Sequence, residues 1–170
     1  MAGAEKFAQE KQLVVFNIGE EEFGVEINQV REIVKMIAIT RMPKAPKFIE
    51  GVVNLRGQII TVIDLACRLD LPSMGKTDST RIMVVEVGDS TVGMIVDSVS
   101  EVIRLSADDI EDTPSLINTE VQERYLRGVG KIKDRLLILL DLNAVLSKEE
   151  LHHIHKQAEI IGQNTEQKEN

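Results

Sequence analysis

Two stretches of the chain repeat one pattern in the same order, and this repetition constrains the fold more than any other feature. Residues 13–35 align with residues 82–104 at a fixed offset, and residues 51–65 align with residues 128–142. The first alignment matches Val15 with Val84, Gly19 with Gly88, Gly24 with Gly93, Val30 with Val99 and Glu32 with Glu101. Two matched blocks in one order predict an internal duplication.

Each copy has the composition of short β-strands. The segment QLVVFNI-GEEE-FGVEI is predicted to be a strand, a turn and a strand, and RIMVVEV-GDS-TVGMIV repeats it. The segment GVVNLRGQIITVIDL is predicted to be a hairpin with its turn near Arg56 and Gly57. Asp134 stands at the place of Gly57 in the second copy, and both residue types tolerate positive φ. The helical spacing of Ile27, Val30 and Val34 predicts a short helical turn within residues 28–34.

The repeated blocks define the organisation of the chain. Copy one covers about residues 13–70 and copy two about residues 80–146, with the first and last strands either kept in their own copy or exchanged. Small β-units remove exposed edges by closing into barrels, so we expect two barrels with a groove between them. Residues 147–161 are predicted to form an amphipathic helix, which Ser147 and Glu150 begin with a capping box. Residues 1–10 and 162–170 are predicted to be disordered.

The composition restricts the classes of partner. The net charge is -8, whereas binding to nucleic-acid phosphates needs a basic surface. Aromatic residues make up 3% of the chain and tryptophan is missing, so a stacking platform for single-stranded nucleic acid is not expected. No apolar run approaches the roughly 20 residues of a membrane-spanning helix, and the first residues lack the apolar stretch of a signal peptide.

Three sets of residues could carry chemistry, and each has a structural alternative. Asp64 and Asp141 recur at one place in both copies, which suits a catalytic dyad or, as we favour, two helix N-caps. His152 and His155 could share one helix face and bind a metal, but a solvated helix face is the favoured interpretation. Cys67 is the only cysteine, so no internal disulfide is possible, and a small core residue is the favoured interpretation. We expect neither an enzyme nor a bound metal or cofactor.

Arg56 is not explained by the turn in which it lies. The turn requires a glycine but not a large cation, and copy two carries Lys131 and Lys133 in its hairpin. One interpretation is a surface ion pair between Arg56 and a glutamate, which contributes little to stability. The other is contact with a partner, since a guanidinium is a planar group with several donors.

Four segments resemble the CheW family of coupling proteins in bacterial chemotaxis: FGVEINQVREIV, PKFIEGVVNLRGQIITVIDL, VGMIVDSVSEVI and YLRGVGKIKDRLLILLDL. The resemblance covers residues 11–150 as a single domain, and Thr61 stands where relatives often have proline. It implies a mainly β fold of two intertwined SH3-like, five-stranded barrels with short connecting helices and a C-terminal helix. The same fold occurs in the CheA kinase and in CheV, but this chain has no room for their further domains, so a stand-alone adaptor is expected.

The resemblance also implies partners. A non-enzymatic adaptor of this family binds the cytoplasmic tip of methyl-accepting chemotaxis receptors and the regulatory domain of the CheA kinase, in the cytoplasm, within membrane-associated receptor arrays. By position, the receptor contact would involve Val30, Glu32, Ile33, Gly51, Asn54, Leu55 and Arg56. Ser115, Leu116 and Ile117, in the longer connection of copy two, are the candidate kinase contact, with packing onto the second barrel as the alternative. A different class of function is a tandem barrel that binds a small molecule or nucleic acid.

Overall fold

The computed structural model describes residues 10–72, 75–111, 121, 123–154, 156 and 159–160. Its eleven strands are β1 (Lys11–Ile18), β2 (Glu21–Glu26), β3 (Val30–Lys35), β4 (Ile49–Leu55), β5 (Gln58–Asp64), β6 (Arg81–Val87), β7 (Ser90–Val96), β8 (Ser98–Leu105), β9 (Ile110–Glu111), β10 (Leu126–Ile132) and β11 (Arg135–Leu140). The short α-helices are α1 (Leu65–Arg68) and α2 (Leu142–Val145), and 3-10 turns lie at Ile27–Gln29, Ala107–Asp109 and Glu123–Tyr125. Residues 148–154, 156, 159 and 160 are helical and are called the C-terminal helix below.

The strands form two sheets, and each sheet takes strands from both copies. The six-stranded sheet has the order β8-β1-β2-β11-β10-β9, and the five-stranded sheet has the order β3-β6-β7-β5-β4. The parallel pair β2–β11 joins the start of copy one to the end of copy two, and the parallel pair β5–β7 makes the reverse connection. The mainly β, two-subdomain fold predicted from the sequence is confirmed.

The duplication is visible in the pairing of individual residues. Phe23 lies opposite Ile138 in the β2–β11 pair, and their counterparts Val92 and Thr61 lie opposite each other in the β7–β5 pair. The sixth strand, β9, pairs with β10. Its counterpart in the other sheet is a single bridge between Thr40 and Val52, antiparallel like the β9–β10 pair. The two sheets therefore follow one plan, and they differ in the length of this last element.

Three apolar clusters form the core: one inside each sheet and one between the sheets. The inside of the six-stranded sheet is filled by Leu13, Val15, Leu105, Leu137 and Leu139. The inside of the five-stranded sheet is filled by Val53, Ile60, Val62, Ile82, Val84 and Ile95. The third and largest cluster, called the shared core below, takes residues from both sheets, from α1, from α2 and from the C-terminal helix. Since the shared core fills the space between the sheets, the groove predicted there is largely occupied by the protein's own side chains.

The helical turn predicted within residues 28–34 is wrong for most of that segment. Only Ile27–Gln29 forms a 3-10 turn, and the chain continues as strand β3 along β6. The pairing shifts register between Val30 and Glu32, which leaves Arg31 as an extra residue. Val30 then packs on the shared core, whereas Val34 packs inside the five-stranded sheet. A β-bulge thus produces an apolar spacing that resembles a helical one.

The predicted helix caps are confirmed. The Asp64 carboxylate accepts a hydrogen bond from the backbone N–H of Cys67, and the Asp141 carboxylate accepts one from the N–H of Asn143. At the start of the C-terminal helix, the Glu150 N–H donates to Ser147 Oγ at 3.1 Å and the Ser147 N–H donates to Glu150 Oε1 at 2.9 Å. Within the described residues, no helix has the length and apolarity needed to cross a lipid bilayer.

Thr61 carries a buried hydroxyl that makes no hydrogen bond, and we expect Thr61→Val to stabilise the protein. The residue is 1% exposed and its Oγ1 has no partner. Valine has nearly the same shape and removes an unsatisfied polar group, so the free energy of unfolding should rise by about 1 kcal/mol. Urea denaturation followed by circular dichroism measures this difference.

Thr80→Val is the matched control. Thr80 is equally buried, at 3% exposure, but its Oγ1 accepts a hydrogen bond from the Thr77 N–H at 2.8 Å. This variant should lose about 1 kcal/mol, because the Thr77 N–H loses its hydrogen-bond acceptor. Changes of the same sign in both variants would contradict the interpretation.

Candidate functional site

The residues that the sequence singled out lie mostly on two elements, strand β3 and the β4–β5 hairpin. Strand β3 is one edge of the five-stranded sheet and β4 is the other. Val34 on β3 and Leu55 on β4 pack against the same internal cluster, so the sheet curls until its two edges approach each other. The hairpin tip thereby comes next to β3, and residues that are distant in sequence meet there.

On β3 the bulge at Arg31 determines which way each side chain points. Val30 lies opposite Val85, a shared-core residue, and is half-buried. Glu32 lies opposite Val84, which belongs to the inside of the sheet, and the Glu32 side chain is 28% exposed. Ile33 is 38% exposed, so part of a large apolar side chain faces solvent. The accessible edge therefore carries one acidic group, Glu32, and partly exposed apolar groups.

The β4–β5 hairpin has a two-residue turn made by Arg56 and Gly57, since Leu55 pairs with Gln58. Arg56 has φ 51° and Gly57 has φ 88°, which are the positive values that a type I′ turn requires at both central positions. The sequence predicted positive φ for the second central residue alone. In copy two that residue, Asp134, does not take the left-handed conformation, whereas Lys133 does, with φ 48°. The first central position requires positive φ in both kinds of tight hairpin turn.

Arg56 forms an ion pair with Glu32, in which Arg56 Nη2 donates to Glu32 Oε2. The pair connects the hairpin tip to strand β3. The surface ion pair considered from the sequence is thus present, but it involves only one nitrogen of the guanidinium. The Arg56 side chain remains 70% exposed, and its other N–H donors face solvent, where a partner could accept from them.

Copy two is built differently at the matching place. Glu101, the counterpart of Glu32, pairs with Arg135 at 2.9 Å, and this hydrogen bond raises the pKa of the Arg135 guanidinium above its ordinary value. Lys131 pairs with Glu111. Lys133, the counterpart of Arg56, is exposed at the hairpin tip. Copy two thus also has a guanidinium paired with the matching glutamate, but it belongs to Arg135, the first residue of β11, whereas in copy one it belongs to the first central residue of the turn.

The remaining residues of the predicted receptor contact, Asn54, Leu55 and Gly51, each contact other parts of this protein. Asn54 is exposed, and its Oδ1 accepts a hydrogen bond from the Gly57 N–H at 2.8 Å. Leu55 is half-buried against the internal cluster of the five-stranded sheet. Gly51 is buried beside the backbone of Thr40. An effect of Gly51 on partner binding would have to act through the bridge between Thr40 and Val52.

The candidate kinase contact, Ser115, Leu116 and Ile117, lies outside the described residues. The chain is described again at Val121, which is 4% exposed, and Tyr125, which is 2% exposed. Both residues belong to the shared core. The connection of copy two is therefore anchored at its end by two buried side chains.

One central residue was missed by the sequence reasoning. Arg68 Nε donates to the Val145 carbonyl at 2.7 Å, and Arg68 Nη2 donates to Glu150 Oε1 at 2.8 Å. Its guanidinium lies 4.7 Å from the ring centre of Phe48 and 5.8 Å from that of Tyr125. The sequence feature that could have indicated this role is in the second alignment. When that alignment is extended in both directions, Phe48 matches Tyr125, but Arg68 stands opposite the apolar Val145.

The described residues give no support to a catalytic or metal site. Asp64 and Asp141 act as helix caps, and burial raises the pKa of the Asp64 carboxyl. Burial and the neighbouring Asp64 raise the pKa of the Cys67 thiol, which disfavours the reactive thiolate. Among the residues described, no group of three His, Cys, Asp or Glu side chains could hold a metal ion. His155, one half of the histidine pair considered above, lies outside them.

Comparisons with known proteins agree on one family. A family model described as CheW-like domain matches residues 12–150. The chain is 38% identical to Chemotaxis protein CheW of Klebsiella aerogenes over 141 residues, which cover 83% of this chain and 84% of that protein. It is 37% identical to Chemotaxis protein CheW of Bacillus subtilis, with 82% and 88% covered. The crystal structure of the scaffolding protein TtCheW from Thermoanaerobacter tengcongensis matches with a TM-score of 0.75 and 39% identity, over 81% of this chain and 88% of that one.

Proposed function

This chain belongs to the CheW-like family of chemotaxis scaffold proteins, and from that premise we propose that it is a non-enzymatic adaptor between chemotaxis receptors and a histidine kinase. One partner is the cytoplasmic tip of methyl-accepting chemotaxis receptors. The other is the regulatory domain of the CheA kinase. The adaptor works in the cytoplasm, joins membrane-associated receptor arrays, and makes kinase autophosphorylation responsive to the receptor.

The observation that carries the receptor part of the proposal is the exposed guanidinium of Arg56. It lies at the tip of a tight hairpin and is paired with Glu32. The Arg56 side chain as a whole remains 70% exposed. A receptor tip is a helical hairpin, which offers carboxylates and turn carbonyls as acceptors. A guanidinium binds such groups with several charge-assisted hydrogen bonds at once.

Strand β3 supplies the apolar part of the same contact. Ile33 is 38% exposed and Val30 is half-buried on the shared core. A helix that lies along this edge could cover both side chains while its polar end reaches Arg56, which is the usual arrangement of helix recognition on a protein surface. Glu32 lies between these residues in sequence, and its ion pair keeps Arg56 next to the same strand.

The kinase contact is proposed on Ser115, Leu116 and Ile117 in the connection of copy two. That connection returns to the fold at the buried residues Val121 and Tyr125, in the subdomain that contains β10 and β11. The receptor contact is in the other sheet. Two partners could therefore be bound by one chain without competing for the same surface.

An assay with three purified components tests the function. A receptor cytoplasmic fragment, a CheA kinase and this chain are combined, and autophosphorylation of the kinase is followed with labelled ATP. We expect receptor-dependent control of the kinase only when this chain is added. Equal kinase activity with and without the chain, at concentrations where both partners are bound, would refute the adaptor role.

Arg56→Ala tests the receptor site. Charge-assisted hydrogen bonds contribute about 1.5–3 kcal/mol each, so the dissociation constant for the receptor fragment should rise about tenfold or more. Kinase binding should not change. The melting temperature should hardly change, because an exposed ion pair contributes at most about 1 kcal/mol. Isothermal titration calorimetry measures both affinities.

Arg104→Ala is the matched control for Arg56→Ala. Arg104 is also an exposed arginine on an edge strand, but it lies on β8 in the six-stranded sheet. The Arg104→Ala substitution removes the same charge as Arg56→Ala without changing the hairpin, so receptor affinity should remain close to that of the parent protein. A loss of affinity in Arg56→Ala that is matched by Arg104→Ala, or by an equal loss of thermal stability, would argue for a general electrostatic or structural effect.

A further inference from the structure

The hairpin of copy one is fixed at two points, and the second point has no counterpart in copy two. The first is the ion pair between Arg56 and Glu32. The second is the hydrogen bond that Asn54 Oδ1 accepts from the Gly57 N–H at 2.8 Å. This bond crosses the turn, from the strand before it to the peptide unit that joins Arg56 to Gly57.

The turn has a reason to need such support. Arg56 has φ 51°, and a side chain with a Cβ is disfavoured in the left-handed conformation. Asparagine or glycine is the usual residue at this position of a tight hairpin turn. The hydrogen bond that the Gly57 N–H donates to Asn54 Oδ1 holds the Arg56–Gly57 peptide plane and so favours the backbone conformation that directs the arginine toward Glu32.

Copy two shows what the same hairpin looks like without this bond. Lys131 stands at the position of Asn54, and its Nζ pairs with Glu111 rather than with the turn. Lys133 takes the same left-handed conformation, with φ 48°. A basic residue can thus occupy this turn position without an asparagine. Left-handed backbone at the first central position therefore does not depend on such a bond, which leaves the order of the Arg56 side chain as the property that the bond can affect.

We propose that Asn54 is a positioning residue, which orders the hairpin so that Arg56 presents its free N–H donors to the receptor in a fixed direction. The inference rests on the proposed receptor site and changes the part that Asn54 plays in it, from a contact to a support. Arginine has many rotamers, and immobilising such a side chain on binding costs conformational entropy. Ordering before binding removes part of that cost.

Asn54→Leu tests the proposal, because leucine has a similar size and accepts no hydrogen bond. The dissociation constant for the receptor fragment should rise about fivefold. In the Arg56→Ala background, the same substitution should have no further effect, since there is no guanidinium left to position. Asn54→Asp keeps an acceptor for the Gly57 N–H and should restore most of the affinity. Asn143→Leu, an exposed asparagine on α2, is the control for loss of an exposed amide.

Two results would overturn the positioning role. An equal loss of affinity in both backgrounds would mean that Asn54 contacts the receptor directly. A loss of affinity that follows a loss of thermal stability, with the order of Arg56 unchanged, would mean that Asn54 acts only through the fold.

A second measurement does not require the receptor. Nuclear magnetic resonance relaxation of the Arg56 Nε–H group reports the order of that side chain in the free protein. We expect an ordered group in the parent protein and in Asn54→Asp, and a mobile one in Asn54→Leu. No change in Asn54→Leu would refute the positioning role. If instead the receptor fragment fails to bind the parent protein, the proposed function fails while this measurement still decides the part played by Asn54.

Discussion

Gly51→Ala is expected to lower the free energy of unfolding by about 3 kcal/mol or more, because the added methyl group has no space. A Cβ at this position would lie 2.1 Å from the Thr40 carbonyl oxygen and 2.8 Å from Ile39 Cγ2. The first of these atoms is backbone, and it accepts a hydrogen bond from the Val52 N–H at 2.8 Å. This oxygen cannot move away from the added methyl group without breaking the bridge between Thr40 and Val52. The glycine φ of 151° adds strain for any other residue.

Two other glycine variants are expected to lower the free energy of unfolding by smaller amounts. Gly57→Ala places a Cβ in open space at φ 88°, so only backbone strain of about 1 kcal/mol is expected. Gly128→Ala places a Cβ 2.8 Å from the Glu111 carbonyl oxygen, at the counterpart position in the other sheet, and should fall between the two. Chemical denaturation of all three variants measures the order Gly51, Gly128, Gly57. A Gly51→Ala protein as stable as Gly57→Ala would show that the bridge segment is not held against β4.

This series also bears on receptor binding. Gly51 is buried, yet strand β4 continues from it to the hairpin that carries Arg56. A Gly51 variant that still folds should bind the receptor fragment more weakly through displacement of β4. The variant should then lose affinity in proportion to its loss of stability, unlike Arg56→Ala, which should lose affinity alone.

The parts of the fold that follow from local sequence were predictable. The β4–β5 turn, the caps at Asp64 and Asp141 and the capping box at Ser147 each depend on a few neighbouring residues. The duplication was visible because the same local patterns recur in the same order. Local patterns, however, do not state which strands pair across the chain.

The features that could not be predicted depend on contacts between distant segments. Helical spacing in residues 27–34 was produced by a bulge at Arg31, which forms only because β3 pairs with β6. The left-handed conformation of Arg56 is imposed by the two-residue loop and contradicts the preference of the residue itself. The ion pair between Arg56 and Glu32 was considered, but the sequence could not show that most of the arginine stays exposed.

Arg68 is the clearest case of a role that depends on the assembled fold. It lies where the two copies meet, and it donates to the carbonyl of Val145, its own counterpart in copy two. Near a local twofold relation, two arginines at matching positions would place like charges against each other. One arginine and one apolar residue at the matching positions avoid that repulsion.

Arg68→Ala is expected to lower the free energy of unfolding by about 3 kcal/mol. The variant loses hydrogen bonds at 2.7 and 2.8 Å to the Val145 carbonyl and to Glu150, and a stacking contact with Phe48 at 4.7 Å. The Arg68 side chain is only 18% exposed, so water replaces these partners incompletely. Arg81→Ala is the matched control, because Arg81 also donates to two carbonyls, those of Asp78 and Thr80, but within its own local segment. It should lose about 1 kcal/mol.

A double-mutant cycle separates the parts of the Arg68 contact. Glu150→Gln keeps an acceptor for the Ser147 N–H and for Arg68, but it removes the charge. If the ion pair holds the C-terminal helix to α1, the two substitutions together should destabilise less than the sum of their separate effects. Amide exchange in residues 148–154 should rise in Arg68→Ala and remain unchanged in Arg81→Ala. Additive effects, with unchanged amide exchange in the C-terminal helix, would contradict this role of the ion pair. The stabilisation by Arg68 would then come from its ring contacts and from the Val145 carbonyl, and the helix would be held by Ile154 in the shared core.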